Sequence, residues 1–516
     1  MQVPAVFCRA RHDARAQTIR FSGASFSPRR TFRRHILQRS RGVFMNKKVW
    51  SAIIPVAVFF LILVLPAEIF HMPGLTVVEQ RVIALFFLAA LCWILEPIPI
   101  FATSMLVIVL EILLISNKGF VLFTLDKSAP GFGRLLSSAE IMATLASPII
   151  MLFLGGFFLA MAATKYRLDM NLARVLLRPF GTNPRMVILG LMIITAVFSM
   201  FMSNTATTAM MLSILAPVLG SLEADDRGRI AFVMAIPLAA NIGGIGTPIG
   251  TPPNAIAFKY ILDLTPMSFG QWMLFGVPFV LVLLLFGWWL LNLFFPTRQK
   301  EISLSINSRF IKNWRAYVVY FTFALTIILW VMGSLHGMDA NVVAMIPVAV
   351  FVCTRIITRE DLKTISWDVL WLVSGGIALG MALEKTGLAE RMVTSIPFAT
   401  FAPAMVVLAA TLLTLAMANF MSHTATANLL LPLMAALAPR LSGLDGIGGP
   451  VGLLLAVTFA ASLGMSLPIS TPPNALASAT GLVETRDMAR LGVIIGLSGL
   501  ALTIGMLFIL KCIGVI

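Results

Sequence analysis

Two short polar runs interrupt long apolar stretches, and both are built from groups that hold anions without carrying charge. They are Ser203-Asn204-Thr205-Ala206-Thr207 and, in the second half of the chain, Ser422-His423-Thr424-Ala425-Thr426. Ser and Thr hydroxyls and the Asn amide donate hydrogen bonds. If each run is a turn between two helices, the helix leaving it presents unpaired N–H groups and the positive end of its dipole. Such a terminus binds an anion with no fixed positive charge. One Ser/Thr turn by itself reads as a helix cap or a small-residue packing contact. Two matched turns favour a site for a ligand with two anionic ends, with Ser203, Asn204, Thr205, Ser422 and Thr424 as donors.

A second pair of motifs breaks the backbone. Thr251-Pro252-Pro253-Asn254-Ala255 and Thr471-Pro472-Pro473-Asn474-Ala475 are separated by nearly the same interval as the polar runs. Consecutive prolines remove two N–H donors and clash with the preceding turn. Upstream carbonyls then lack partners and become available to an oxygen-seeking cation such as Na⁺. Gly243, Gly244, Gly246 and Gly250 allow the first copy to unwind, whereas Gly464, Ser466 and Ser470 occupy the second. His423 stands where the first copy has Asn204. As a neutral imidazole it replaces the amide as a donor; as a titrating group it marks a modified cation site or a pH-sensitive contact. Ala418 stands where the first copy has Ser199, so the second half has one oxygen ligand fewer.

These motifs need elements that cross a bilayer. The chain has 516 residues, 59% hydrophobic and 12% charged, against about 25% charged in a soluble domain. That composition describes a polytopic membrane protein and excludes a soluble enzyme, a nucleic-acid binder and a secreted disulfide scaffold. The four cysteines are scattered, and the five histidines form no metal-binding pattern. Apolar runs predict crossings at 49–69, 77–95, 98–116, 146–164, 230–264, 272–295, 316–334, 339–354, 367–384, 451–481 and 491–511. Two further stretches, 186–220 and 403–439, are too long for one helix and short for two spans. They read as re-entrant helical hairpins turning at the Ser-x-Thr runs.

Gly155-Gly156 and Gly375-Gly376 recur at the same interval again. The matched landmarks divide the chain into a basic arm (1–44), a first transmembrane helix (45–75), repeat 1 (76–297), a cytoplasmic linker (298–315) and repeat 2 (316–516). Each repeat holds five crossings and one hairpin, and an odd number of crossings turns the second copy upside down. The expected fold is all-α: an inverted-repeat architecture of about 11 transmembrane helices and two re-entrant hairpins, the layout of many secondary transporters. A dicarboxylate fits its two facing turns.

The net charge of +16 is a topology signal. Residues 1–44 hold ten Arg and one Asp and read as a disordered basic tail or an alternative-start extension ahead of Met45-Asn46-Lys47-Lys48. Arg174, Arg178, Arg298, Arg309, Arg355 and Arg359 fall in loops that the positive-inside rule assigns to the cytoplasm. This places the N-terminus inside and the C-terminus outside a cell inner (plasma) membrane, although loop 117–145 runs against the rule. Segments 164–178 and 386–397 read as interfacial amphipathic helices. Glu111 is an acid near the end of the third predicted crossing, and intramembrane acids are functional by default.

At Ser203-Asn204-Thr205, Ser422-His423-Thr424 and both Thr-Pro-Pro-Asn segments, the sequence resembles the divalent anion:sodium symporter (DASS) family of di- and tricarboxylate and sulfate carriers. The likeness covers roughly residues 45–516. It implies a homodimer with a scaffold domain and an elevator-like transport domain carrying both hairpins. It implies substrate contacts from Ser203, Asn204, Thr205, Ser422, His423 and Thr424, with Thr471 and Pro472 nearby. A first Na⁺ site carries over to Ser199, Ser203, Asn204 and Gly250. A second would use Ser422, His423 and Ser470, where this chain departs from the family pattern. The expected function is secondary active transport of small dicarboxylates of the succinate, malate or 2-oxoglutarate type. Na⁺ is the coupling ion, and no cofactor, catalytic residue or nucleic acid is involved. The alternatives are Na⁺-independent dicarboxylate exchange and transport of sulfate or another divalent oxyanion.

Overall fold

The structure, a computed structural model, describes residues 49–125, 127–302, 308–395, 402–441 and 443–514. The basic arm 1–44 lies outside the described residues, as do parts of the expected linker 298–315 and of segment 386–397. The described residues form no strand; one isolated bridge joins Ser116 and Leu136.

The first half opens with α1 (Val49–Val64), α2 (Val77–Leu95), α3 (Ile100–Ile115), α4 (Pro148–Lys165) and α5 (Leu168–Leu177). A helical pair follows, α6 (Pro184–Phe201) and α7 (Asn204–Ser221), then α8 (Gly228–Gly243), α9 (Pro252–Leu264) and α10 (Phe269–Phe294). The order from α2 onward then recurs. It runs through α11 (Trp314–Val331), α12 (Ala340–Cys353), α13 (Trp367–Lys385), α14 (Leu388–Ser395), and the pair α15 (Pro403–Phe420) and α16 (His423–Leu437). It closes with α17 (Gly449–Ser462), α18 (Pro472–Ala479) and α19 (Thr485–Cys512). Short helices of one or two turns connect several of these.

Local sequence explains the helix ends. Capping boxes start α2 at Thr76 and Glu79 and α10 at Ser268 and Gln271, each satisfying two orphan N–H groups. Ser147 and Asn183 cap α4 and α6 ahead of a proline in the first turn. The first crossing is shorter than the expected 49–69. Pro66 follows α1, and residues Ala67–Phe70 form a separate 3-10 turn, because a residue before proline is pushed out of the helical region. Among the described residues nine helices are long and apolar enough to span a bilayer; two of them, α6 and α15, are hairpin arms. Counting the shorter α1, α3 and α12, and the broken helix α17/α18, gives the eleven expected crossings.

The buried apolar residues fall into separate cores. The largest joins α6–α10 with α15–α19. Another gathers α1, α2, α3 and the C-terminal part of α13. A third gathers α4, α11 and α12. Helices α4 and α13 each make a close small-residue contact with the other half. A Cβ on Gly155 would collide with Ala344, and one on Gly375 with Ser104. Such backbone approach is what small residues allow between membrane helices.

Related positions also exchange ion pairs between halves. Lys165, ending α4, pairs with Asp361 at 2.5 Å; Lys385, ending α13, pairs with Glu140 at 2.7 Å. Soon after each lysine the chain takes a left-handed turn into a short amphipathic helix: Arg167 before α5 (φ 55°) and Gly387 before α14 (φ 90°). Glycine adopts that conformation without the Cβ penalty that Arg167 carries.

Candidate ligand-binding site

Four chain breaks converge on one cavity. The pair α6/α7 turns at Met202-Ser203 and the pair α15/α16 at Met421-Ser422. Helix α8 gives way to a 3-10 turn at Gly244–Gly246 before α9, and α17 to an irregular stretch before α18. The four helices that leave these breaks have Ser203, Ser422, Thr251 and Thr471 as N-caps. All four caps line a cavity of about 240 Å³. Asn204, Thr205, His423, Thr424 and Pro472 line it as well, so the structure brings together every residue expected to contact substrate. Among the described residues, no Lys, Arg, Asp or Glu lines it. Its positive potential comes from four helix N-termini, each worth roughly half an elementary charge. The two halves hold their caps differently. Ser422 Oγ and Thr471 Oγ1 accept from the N–H groups of Ala425 (3.1 Å) and Asn474 (3.2 Å), whereas Ser203 and Thr251 make no side-chain cap bond.

Behind the first hairpin tip lies a cluster of oxygens. The buried Ser199 Oγ is 2.5 Å from Asn204 Oδ1 and 2.7 Å from the Ala240 carbonyl. One hydroxyl proton serves one of these acceptors at a time. A Cβ on Gly244 would meet Asn204 Oδ1 at 3.0 Å and the Gly250 carbonyl at 2.9 Å, so the Gly250 oxygen borders the same cluster. Ser199, Asn204 and Gly250 thus adjoin, with Ser203 at the cavity edge, and the donor set suits Na⁺.

The second tip is built otherwise. His423 is buried, and its Nε2 lies 2.9 Å from the Gly464 carbonyl. A carbonyl only accepts, so this nitrogen carries the proton. Ser470 Oγ donates to the Asn419 carbonyl (2.7 Å) and accepts from Leu467 N–H (3.1 Å). Ala418 packs beneath Gly464 with no room for a Cβ on that glycine. Ser422, His423 and Ser470 all line the cavity, but an N–H faces the carbonyl where the first half gathers oxygens.

The proline breaks leave fewer carbonyls open than the sequence predicts. Asn254 Nδ2 lies within bonding distance of the Gly244 (3.0 Å), Ile245 (3.1 Å) and Thr247 (2.8 Å) carbonyls. Asn474 Nδ2 donates to Met465 (2.8 Å) and Leu467 (3.0 Å). Each motif asparagine therefore folds the broken segment around its own amide, since buried carbonyls without partners are costly.

The citrate transporter (CitMHS) family profile matches residues 90–450. The chain belongs to this family. It is 30% identical over 470 residues to a sodium-dependent dicarboxylate transporter of Staphylococcus saprophyticus, covering 84% of this chain and 86% of that one. It is 31% identical over 448 residues to an uncharacterized transporter of Schizosaccharomyces pombe, 84% of this chain. It is 32% identical over 412 residues to an inorganic phosphate transporter of Saccharomyces cerevisiae, 78% of this chain. The chain spans about half the length of the fungal relatives, 48% and 43% respectively. Its fold is similar to that of the Alcanivorax borkumensis YdaH transporter (TM-score 0.50, 15% identity, 78% of this chain and 90% of that chain).

In this citrate transporter family member, Asn241 of α8 is a cavity residue that sequence reasoning missed. It donates to Thr471 Oγ1 and Asn474 Oδ1, both at 3.1 Å. It ties the first half to the break of the second. Its counterpart in repeat 2 is Ala461, so the repeat offered no signal for it. The roles of Asn254 and Asn474 were within reach, because both stand in the duplicated motif.

Proposed function

We propose that the chain is a secondary active transporter of small dicarboxylates, coupled to inward Na⁺ and working by an elevator-like alternating-access cycle. The observation that carries this is the cavity shared by Ser203, Ser422, Thr251 and Thr471, where four helix N-termini meet and no charged side chain among the described residues intrudes. Such a wall favours an anion by dipoles alone and leaves room for a coupling cation to complete its neutralisation. Ser203, Asn204, Thr205, Ser422, His423, Thr424, Thr471 and Pro472 contact the substrate. Na⁺ binds first at Ser199, Ser203, Asn204 and Gly250, which orders the first tip for the anion. Two upside-down repeats, with the N-terminus inside a plasma membrane and the C-terminus outside, give the two tips opposite access. The working unit is a homodimer. The name of the staphylococcal relative supports both the dicarboxylate and the sodium.

A second reading has an observation of its own. The His423 N–H occupies the Gly464 carbonyl, and Ala418 replaces a hydroxyl, so one cation site of the pair is depleted. This favours a carrier with reduced Na⁺ coupling, and in the limit a Na⁺-independent exchanger. The yeast phosphate transporter among the relatives adds compact oxyanions such as sulfate and phosphate to the substrates worth testing. The deciding experiment is uptake of labelled succinate, malate, 2-oxoglutarate, citrate, sulfate and phosphate into proteoliposomes under imposed Na⁺ gradients. Na⁺-driven dicarboxylate uptake that Ser203→Ala and Ser422→Ala abolish is the expected result. Counterflow that proceeds equally without Na⁺ selects the exchanger. Uptake restricted to sulfate or phosphate overturns the dicarboxylate assignment.

A further inference from the structure

A chain of hydrogen bonds behind the cavity fixes which way the Thr471 hydroxyl points. The Met465 and Leu467 carbonyls only accept, so Asn474 turns Nδ2 to them, at 2.8 and 3.0 Å, and presents Oδ1 on its other side. That oxygen accepts from Asn241 Nδ2 at 3.1 Å, which fixes the Asn241 amide in turn. The same Nδ2 lies 3.1 Å from Thr471 Oγ1 and donates its second proton there. Thr471 Oγ1 also accepts from the Asn474 N–H at 3.2 Å. A hydroxyl offers two acceptor positions and one proton. Both acceptor positions of Thr471 are taken, and only its proton remains for the cavity that the residue lines.

The repeat-related cap is held differently. Thr251 lines the same cavity but makes no side-chain cap bond, and the position related to Asn241 is Ala461. Its hydroxyl stays free to donate or to accept. The arrangement at Thr471 also carries a cost, because Asn241 is 2% exposed and its own Oδ1 has no partner among the described residues. Packing alone would be served as well by an apolar side chain. What the amide adds is a direction for the hydroxyl it touches.

We propose that Asn241 is a positioning residue that makes the Thr471 hydroxyl an obligate donor, so that this side of the cavity takes only an ionised oxygen of the substrate. An ionised carboxylate thus faces Thr471, and any hydroxyl or protonated oxygen of the substrate is directed elsewhere. This rests on the carrier reading above, and the experiment separates the two. Binding of succinate, malate and sulfate to the purified full chain is measured by calorimetry, and their uptake is followed in proteoliposomes. Asn241→Ala lets the Thr471 hydroxyl turn away and should weaken succinate binding about fivefold, with the maximal uptake rate kept. Thr471→Val loses the proton itself and should weaken binding about thirtyfold, as the loss of one hydrogen bond to a charged group does. Adding Asn241→Ala to Thr471→Val should change binding no further, because Asn241 acts only through that hydroxyl. Thr471→Ser keeps the hydroxyl and should keep the effect of Asn241→Ala. The Na⁺ response should be that of the wild type in every Asn241 variant, which separates this role from the neighbouring Ala240 carbonyl at Ser199. Asn241→Leu keeps the side-chain volume and carries the same expectations if the smaller variant folds poorly. An Asn241→Ala change that weakens Thr471→Val as much as the wild type, or that shifts the Na⁺ response, overturns the proposal. Binding without uptake under any gradient refutes the carrier reading alone, because the double-variant comparison is made on binding. A wild type that binds none of the three anions overturns both.

Discussion

In the first half the hairpin tip is backed by oxygens, Ser199 against Asn204 and the Ala240 carbonyl; in the second it is backed by the His423 N–H on the Gly464 carbonyl. The element order is the same, and so are the caps, Ser203 and Ser422, Thr251 and Thr471. The difference lies behind the caps. A cluster of acceptors attracts a cation, whereas a donor already seated on the carbonyl takes a cation's place. The two repeats thus share the polar caps that line the cavity and differ in the groups behind them.

The sharpest way to break this comparison is to fill the first cluster. A side chain at Gly250 collides with the Gly244 carbonyl. Overpacking of this kind costs about 3 kcal/mol, so Gly250→Val should lower Na⁺-driven succinate uptake about a hundredfold. Ser470→Ala, at the related position, should lower it far less. Equal losses would mean that the two sides do the same work. Next in size are the motif asparagines. Asn254→Ala strands the carbonyls of a three-acceptor ring and should cost about 3 kcal/mol, and Asn474→Ala about 2 kcal/mol. Thermal unfolding in detergent reads the order, and a larger loss at Asn474 contradicts it. His423→Asn returns an amide oxygen to the second tip. One recovered ligand of about 1 kcal/mol should lower the Na⁺ concentration for half-maximal uptake about fivefold. An unchanged Na⁺ response would show that the Gly464 side binds no cation even when freed.

The smallest effects belong to the exchanged ion pairs. Lys385→Met should cost very little, as exposed pairs do. Lys165→Met should cost slightly more, because Lys165 also donates to the Ile356 carbonyl at 2.9 Å. Burial raises the Asp361 carboxyl, but hydrogen bonds from Lys165 and Thr358 leave it below its ordinary value. Its contribution is therefore complete at neutral pH and is lost only as pH falls through that lowered value. A Lys165→Met protein whose unfolding keeps the wild-type acid profile would remove Asp361 from the account.

Much of this arrangement is legible in the chain because its signals are local. Proline pairs at 252–253 and 472–473 break helices wherever they occur, and the Ser-Asn-Thr and Ser-His-Thr runs cap the helices that follow them. The exception among the spans, the early end of α1, also has a local cause in Pro66. What the spacing left hidden was long-range. Nothing near residue 241 marks Asn241 as a bridge to Thr471, because its partner belongs to the other repeat. Nothing in a glycine pair announces that Gly155 rests on Ala344 and Gly375 on Ser104. The carbonyls freed by proline looked available to a cation, because the reach of the Asn254 amide back to Gly244 depends on how the loop curls.

Hydropathy, turn residues and one internal duplication were sufficient to determine an all-helical membrane protein with two paired tips. Helix breaks and caps arise from steric and hydrogen-bond rules that act over one or two turns. Whether the four caps share one cavity, and which oxygens stay free beside it, was decided only by tertiary packing. Those outcomes depend on contacts between segments far apart along the chain, and no rule of neighbouring residues contains them.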